Sequence, residues 1–172
     1  MTPSPTSTGF SHSDTYQTLA QADALCQQRG VRLTDLRWRV LEIIWSHPKP
    51  MGAYAILDVL HDDGRQGAPP TLYQALDFLL EQGLIHRLAS LNVCTGGCQP
   101  GSRHSGQFLI RRDCDPVSEM NSLAVENLLY AEADENLLYA EADARRFEVL
   151  TQVAEVLGRC LDCQHGTPSD VG

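Results

Sequence analysis

A segment rich in small and polar residues carries three side chains that can bind soft metal ions. It reads "NVCTGGCQPGSRH", spans residues 92–104 and contains Cys94, Cys98 and His104. Thiolate and imidazole are donors that zinc prefers, and a tetrahedral zinc ion needs four donors. The segment therefore predicts a zinc site whose remaining ligands lie elsewhere in the chain.

Two further donors flank this segment. His86 lies in the apolar stretch before it, and Glu119 follows the next predicted strand. We predict one zinc site formed by His86, Cys98, His104 and Glu119, with Cys94 as an alternative ligand or else a solvated or packed thiol. Taken singly, His86 also fits a half-exposed strand position and Glu119 an ordinary surface acid. Because the four residues belong to different parts of the chain, a bound ion is expected to fix the angle between two domains.

A second group of thiols lies near the end of the chain. Cys160 and Cys163 have the C-x2-C spacing that lets two thiolates of one turn bind the same zinc ion. Cys114 is their candidate partner, but Arg111 stands where the other cysteine of a second pair is expected. Either the three cysteines bind zinc with a fourth ligand such as His165 or water, or this site is empty.

Four helical patterns precede the first site. Apolar residues recur at helical spacing within residues 14–28, 33–48, 52–64 and 71–83. Thr34 is the expected N-cap of the second helix, and Gly83 is the expected glycine after the fourth. The fourth helix leaves Tyr73, Gln74 and Asp77 pointing outward.

Strand patterns follow these helices. Residues 84–92, "LIHRLASLN", alternate as in a half-buried strand. Three helices followed by such a ribbon are typical of a winged helix-turn-helix, whose last helix enters the DNA major groove. Beyond the glycine-rich segment, the sequence predicts a strand at 106–110, a helix at roughly 121–146 and a strand at 147–157. The fold class is therefore predicted to be α+β, with an N-terminal winged helix-turn-helix domain and a small C-terminal α/β domain.

The domain boundaries follow from these patterns and from composition. We predict a disordered tail, a winged-helix domain, a hinge, a second domain and another disordered tail, at residues 1–13, 14–97, 98–105, 106–165 and 166–172. The polar start has neither a basic segment nor an apolar stretch, so it is not expected to be a signal peptide. No apolar run approaches the roughly 20 residues of a membrane helix. We expect a cytoplasmic protein, in which six cysteines indicate metal or redox chemistry before disulfides.

Charge is distributed unevenly along the chain. The net charge is −9, and residues 1–105 hold eight Lys and Arg against nine Asp and Glu. The remaining residues hold five against thirteen. Nucleic-acid binding must therefore depend on the nearly neutral first part and on local basic clusters.

One nonapeptide, "ENLLYAEAD", occurs twice in succession, at 126–134 and 135–143. Nine residues at about 100° each turn a helix two and a half times, so the two copies face opposite sides. One copy can then pack on the sheet and the other on a partner subunit, or the repeat only lengthens a helix without a function.

The motifs together resemble a known family. "RLTDLRWRVLEII", "GAYAILDVL", "APPTLYQALDFLLEQGLIHRLASLN" and "RHSGQFLI" resemble the ferric uptake regulator superfamily. "ALDFLLEQGLIHRLASLN" is most similar to its zinc uptake regulator branch. The resemblance covers about residues 14–120, and the last strand with "CLDC" more loosely. It implies a homodimeric, metal-dependent transcription factor with a C-terminal dimerisation domain, a regulatory zinc at the hinge and a structural zinc on two Cys-x2-Cys pairs.

The resemblance also implies roles for the metal-binding candidates. It assigns the regulatory zinc to His86, Cys98, His104 and Glu119, and the structural zinc to the positions of Arg111, Cys114, Cys160 and Cys163, where Arg111 interrupts the set. We expect one or two zinc ions per protomer, and a zinc-loaded homodimer that mainly represses zinc-uptake genes. The alternative is the same fold sensing iron, manganese or peroxide. A zinc enzyme with a small organic substrate is not expected, because the His-x-Glu of zinc deaminases is absent from the sequence.

The remaining candidates concern double-stranded operator DNA. Members of the family usually begin the recognition helix with a Tyr-Arg pair, where this chain has Tyr73 and Gln74. Glutamine can bond an adenine edge, although residues 71–74 also fit a capping box in which Gln74 folds back onto Thr71. Tyr54 and Tyr73 are predicted to contact base or phosphate, with half-burial as the alternative, and Thr71 is a further predicted DNA contact. Phosphate contacts are predicted for Arg37, Arg39, Lys49, Arg65 and Arg87, with ordinary solvated side chains as the alternative.

Overall fold

Two compact units make up the chain. The computed structural model describes residues 12–65, 68–96, 106–112, 117–120, 137–149 and 153–164. One unit comprises residues 1–103 and the other residues 104–172. The division falls within residues 98–105, the segment predicted as a hinge. None of the helices in the described ranges is long and apolar enough to cross a membrane.

The first unit consists of four helices followed by a β-hairpin. Its elements are α1 (His12–Gln28), α2 (Asp35–Ser46), α3 (Ala53–Asp62), α4 (Pro69–Glu81), β1 (Ile85–Leu88) and β2 (Val93–Gly96). Helix α2 is central, because it contacts α1, α3, α4 and β2. All four predicted helices are present, and Thr34 occupies the N-cap position of α2 as predicted, although its side chain makes no capping hydrogen bond. Helix α4 begins two residues earlier than predicted, because prolines suit a first turn whose N–H groups have no partner in the helix.

The apolar stripes of the four helices form one core. Leu19, Ala22 and Cys26 of α1 are fully buried, as their spacing predicts. They join a cluster that contains Val40 and Leu41 of α2, together with Ile56, Leu60, Leu72 and Leu79 of the next two helices. Each fully buried aliphatic side chain contributes about 1.5–3 kcal/mol relative to an exposed one. This core fixes the orientation of α4.

The prediction of one strand over residues 84–92 is wrong. Strand β1 ends at Leu88, Ala89 to Asn92 form a turn, and β2 returns antiparallel with His86 opposite Thr95. Asn92 takes a positive φ of 53°, a conformation that asparagine tolerates, and its side chain accepts a 2.8 Å hydrogen bond from Arg87. Ile85 and Leu88 point to opposite faces of the strand and both are buried, so the expected one-sided burial does not hold.

The second unit contains a three-stranded sheet. Its elements are β3 (Gln107–Arg111), β4 (Val117–Glu119), α5 (Leu137–Ala144), β5 (Ala154–Gly158) and α6 (Leu161–Gln164). Strand β3 is central, antiparallel to β4 and parallel to β5. A parallel pair needs a crossover connection, and α5 lies in that connection. Phe108 and Ile110 of β3 are buried.

Two predicted boundaries in this unit need correction. The strand expected at 147–157 begins only at Ala154, because α5 is closed by a hydrogen bond from the Phe147 N–H to the Ala142 carbonyl at 2.9 Å. Arg146 adopts the positive φ of 56° that this closure requires. Of the helix expected at roughly 121–146, the described part is α5, and residues 121–136, with the first copy of the nonapeptide, lie outside the described residues.

Candidate functional site

Helix α4 presents a polar face on the surface of the first unit. Its buried side is formed by Leu72, Ala75, Leu76, Phe78 and Leu79. Tyr73 is 47% exposed, and Gln74 and Asp77 are exposed as well, as the helical pattern predicts. Tyr54, in the first turn of α3, is 77% exposed. Two aromatic rings and an amide are therefore available on the surface.

The capping-box alternative for residues 71–74 does not form. The N-cap of α4 is Ala68, and the cap makes no side-chain hydrogen bond. Thr71 already lies within the helix, and its backbone N–H donates to the Ala68 carbonyl at 3.0 Å. Gln74 is therefore not used to cap the helix, and its exposed amide is available to a ligand.

Three of the predicted phosphate contacts, Arg37, Arg39 and Arg65, differ in their surroundings. Arg39 donates to Asp63 and to Glu42, each at 2.7 Å, and the hydrogen bond from Arg39 lowers the pKa of the Asp63 carboxyl. The Arg37 guanidinium carbon lies 3.6 Å from the centroid of the Phe78 ring, and its Nη1 donates to the Arg32 carbonyl at 2.9 Å. These two guanidinium groups stabilise contacts inside the unit.

The third, Arg65, has a more exposed position. It follows Gly64 at the end of α3, and its side chain is exposed. Of the three arginines, Arg65 is therefore the most accessible to phosphate. Local sequence indicates only the Arg39–Glu42 pair, because Asp63 lies 24 residues from Arg39 and Phe78 lies 41 residues from Arg37.

The hairpin is attached to the helices by backbone and indole contacts. Met51 and Cys94 exchange two backbone hydrogen bonds of 2.8 Å. The indole Nε1 of Trp45 donates to the Leu84 carbonyl at 3.1 Å. A Cβ atom on Gly96 would lie 2.3 Å from Cδ1 of Trp45, so only glycine fits at this point of β2. These contacts hold the hairpin that contains His86 against α2.

The predicted regulatory ligands lie in both units. His86 is half-buried in β1, and Glu119 is half-buried in β4 opposite Phe108. Cys98 and His104 lie outside the described residues. Within the described ranges, no group of three or more His, Cys, Asp or Glu side chains could hold a metal ion. Assignment of all four to one ion therefore remains a prediction.

The alternative ligand, Cys94, does not lie in a loop as the sequence suggested. It belongs to β2, is 7% exposed and packs in the core of the first unit. Burial raises the pKa of its thiol, which disfavours the thiolate that zinc binds. These observations favour Cys98 over Cys94 as the thiolate ligand.

The second thiol pair lies at α6, directly after β5. Cys160 precedes the helix, Cys163 lies within it, and both are half-buried. Arg111 is paired with Gly158 across the parallel strands, so it stands beside the segment that leads to Cys160. A guanidinium carries hydrogen-bond donors only and cannot act as a ligand. A closed site of four thiolates therefore does not fit these residues, and Cys114 lies outside the described residues.

Comparison with known proteins agrees with this arrangement. No protein-family model matches the chain. The zinc uptake regulation protein of Escherichia coli K12 is 36% identical over 152 residues, which cover 87% of this chain and 82% of that protein. The chain belongs to the ferric uptake regulator family, in its zinc uptake regulator branch.

Two solved zinc uptake regulators have a similar fold. The holo form of XcZur matches with a TM-score of 0.69 and 34% identity, over 87% of this chain and 99% of that one. A zinc uptake regulator in complex with zinc and DNA also gives a TM-score of 0.69 and 34% identity, over 88% of this chain and 95% of that one. The predicted α+β fold with an N-terminal winged helix is therefore confirmed.

The contact between Gly96 of β2 and Trp45 of α2 could not be predicted from the sequence. Gly96 lies in the run "CTGGC", which is typical of a loop, and Trp45 lies near the end of α2. Their contact depends on the pairing of β2 with β1, and no local pattern indicates that pairing. The glycines of the run indicated only that another part of the protein could approach the backbone closely here.

Proposed function

We propose that this chain is a zinc-responsive transcriptional regulator whose zinc-loaded homodimer binds operator DNA and mainly represses zinc-uptake genes. The main support is the match to a regulator bound to zinc and DNA, which extends over 88% of this chain. The exposed face of α4 supports the DNA-binding part of the proposal, because the second helix of a helix-turn-helix is the one that contacts base edges. A regulator of this kind acts where chromosomal DNA lies, so we also propose a cytoplasmic location and no catalytic activity.

We propose His86, Cys98, His104 and Glu119 as ligands of the regulatory zinc. Bound zinc supplies a tetrahedral link between side chains from both units, and so favours conformations in which the four donors converge. Zinc can shift the equilibrium between conformations by no more than the difference in its binding free energy for them. Because thiolate and neutral imidazole must lose protons to bind, the response should weaken as pH falls.

The contribution of α4 follows from its surface. Tyr73 and Gln74, together with Tyr54 of α3, offer hydrogen-bonding groups and ring faces to DNA, and exposed Arg65 offers a cation to phosphate. Arg37 and Arg39 act mainly within the protein, where they stabilise the first unit. For the second thiol pair we propose at most three thiolate ligands, because Arg111 supplies none.

The test begins with selection of duplexes from a random-sequence library on zinc-loaded protein. Binding of a selected duplex is then measured by fluorescence anisotropy while apo-protein is titrated with zinc, iron or manganese. We expect zinc to promote binding at lower free concentration than the other metals. The alternative signal, iron or manganese, is supported if either metal acts at lower free concentration than zinc. If no metal promotes binding of any duplex, the proposal is wrong.

Matched cysteine variants test the ligand assignment. His86→Ala and Cys98→Ala should lose the zinc response while the dimer persists in sedimentation measurements. Cys94→Ala is the control, because the same side chain is removed from the same segment but from the core. If the Cys94 variant loses the zinc response and the Cys98 variant keeps it, Cys94 is the thiolate ligand and the assignment of Cys98 is wrong.

A further inference from the structure

The outward face of α4 carries no cation. Over Pro69–Glu81 the helix contains no Lys, Arg or His, and Asp77 and Glu81 add two exposed negative charges. Guanine is usually selected by arginine or lysine, and phosphate is attracted by positive charge. This helix therefore lacks the side chains for either task, and any selection of bases must use its neutral polar groups.

Among those groups, Gln74 has the position and the chemistry for base selection. It is the sixth residue of α4, and residues near the N-terminus of a recognition helix are the ones that reach base edges. Its side chain is exposed, and it is not used as a helix cap. The amide carries one donor and one acceptor in a fixed relation, which matches N7 and the N6 amino group of adenine.

The neighbouring Asp77 disfavours guanine at the base that Gln74 contacts. Asp77 lies three residues after Gln74 and therefore on the same side of the helix. Its carboxylate accepts hydrogen bonds only, so the carbonyl and N7 acceptors of guanine meet no donor from this side chain. The same charge repels phosphate, which disfavours a binding mode in which this part of the helix follows the DNA backbone.

We propose that Gln74 selects adenine at one position of each half-site, donating from Nε2 to N7 and accepting at Oε1 from the N6 amino group. This inference rests on the proposed DNA-binding function and specifies which base one residue recognises. Such a bidentate pair changes affinity for the wrong base by about 5- to 150-fold. Replacement of the amide by a guanidinium should change the preferred base to guanine.

The test compares duplexes selected by zinc-loaded wild type, Gln74→Ala, Gln74→Arg and Gln28→Arg. Gln28 is exposed near the end of α1, so Gln28→Arg adds the same charge away from α4. We expect adenine at one position per half-site for wild type and for Gln28→Arg. Gln74→Arg should select guanine at that position, and Gln74→Ala should select no particular base there.

A measurement on the wild-type protein makes the test independent of variant folding. In the selected duplex, 7-deazaadenine replaces the adenine at that position and removes only the N7 acceptor. Wild-type affinity should fall about 2- to 13-fold, because one of the two hydrogen bonds is lost, and Gln74→Ala should bind both duplexes with equal affinity. Wild-type affinity that is unaffected by 7-deazaadenine, or an identical selected sequence for Gln74→Ala, overturns this inference alone. Failure of wild type to enrich any sequence in zinc overturns the proposed function instead.

Discussion

Gly96 allows β2 to lie directly against the indole ring of Trp45. A Cβ atom at position 96 would lie 2.3 Å from Cδ1, 2.8 Å from Nε1 and 3.3 Å from Cγ of that ring. Trp45 is only 8% exposed, and its Nε1 holds the Leu84 carbonyl at 3.1 Å. The ring is therefore buried, and the Nε1 atom that would lie next to the added methyl group is already hydrogen-bonded, so the ring has little freedom to move away.

We predict that Gly96→Ala destabilises the first unit by about 2 kcal/mol. The closest contact is more than 1 Å inside the roughly 3.5 Å separation that is optimal for carbon atoms. Relief of such overpacking costs about 1–3 kcal/mol, and a displaced indole would also weaken a hydrogen bond worth about 0.5–1.5 kcal/mol. Alanine also lowers the conformational entropy of the unfolded chain, which stabilises the folded unit by about 0.4–1 kcal/mol. This gain is smaller than the sum of the two costs, so the variant is less stable than wild type.

Urea denaturation followed by tryptophan fluorescence measures this effect selectively. Both tryptophans of the chain, Trp38 and Trp45, belong to α2, so the signal reports the first unit. The matched control is Gly158→Ala in β5, where a Cβ atom would have no neighbour within 4 Å; because this position lies in the second unit, its denaturation is followed by circular dichroism. That variant should be neutral or slightly more stable than wild type.

A double-mutant cycle then tests the cause of the destabilisation. Trp45→Val removes the Cδ1 and Nε1 atoms, so Gly96→Ala in that background should cost less than about 1 kcal/mol. Equal costs of Gly96→Ala in both backgrounds, or a single variant as stable as wild type, would refute the role assigned to the ring.

Three further predictions concern other contacts. Arg111→Cys should retain one more zinc ion per protomer than wild type after dialysis against a chelator, measured by elemental analysis. Arg112→Cys, at the residue directly after β3, is the control, and equal zinc content in the two variants would contradict the broken-site interpretation. Because Arg39 lowers the pKa of Asp63, the ion pair adds stability above the unfolded pKa of about 3.9 and loses it as pH falls through the folded pKa. Asp63→Asn should therefore be less stable than wild type at pH 7 and converge with it in acid denaturation, whereas Asp62→Asn should follow wild type at both pH values. Gly83, with a φ of 66°, closes α4 before β1, so Gly83→Ala should cost about 1–2 kcal/mol in urea denaturation and Gly83→Asn less.

The contrast between Cys94 and Cys98 shows why the candidate site was only partly predictable. Both cysteines lie in one glycine-rich segment, and the sequence offers the same donor atom at each. Pairing of β2 with β1 and with Met51 places Cys94 in the core, where burial raises the pKa of its thiol. The bridge to Met51 joins residues that lie 43 positions apart in the chain, so local patterns carry little information about it.

The arginines near α4 lead to the same conclusion. From the sequence, Arg37, Arg39 and Arg65 are equivalent as phosphate contacts. Folding brings Phe78 beneath the first and Asp63 beside the second, while the third remains exposed. Charge is determined by residue type, but the accessibility of that charge depends on which groups the fold brings near it.

The sequence by itself determined the helices of the first unit, the donor types available for zinc and the break at Arg111. These features depend on residue identity and on neighbours within about one or two helical turns, which the order of residues specifies directly. Only the tertiary structure decided where β1 ends, which cysteine is buried and which arginines are engaged within the protein. Each of these depends on packing between distant segments, which exists only after the core has formed.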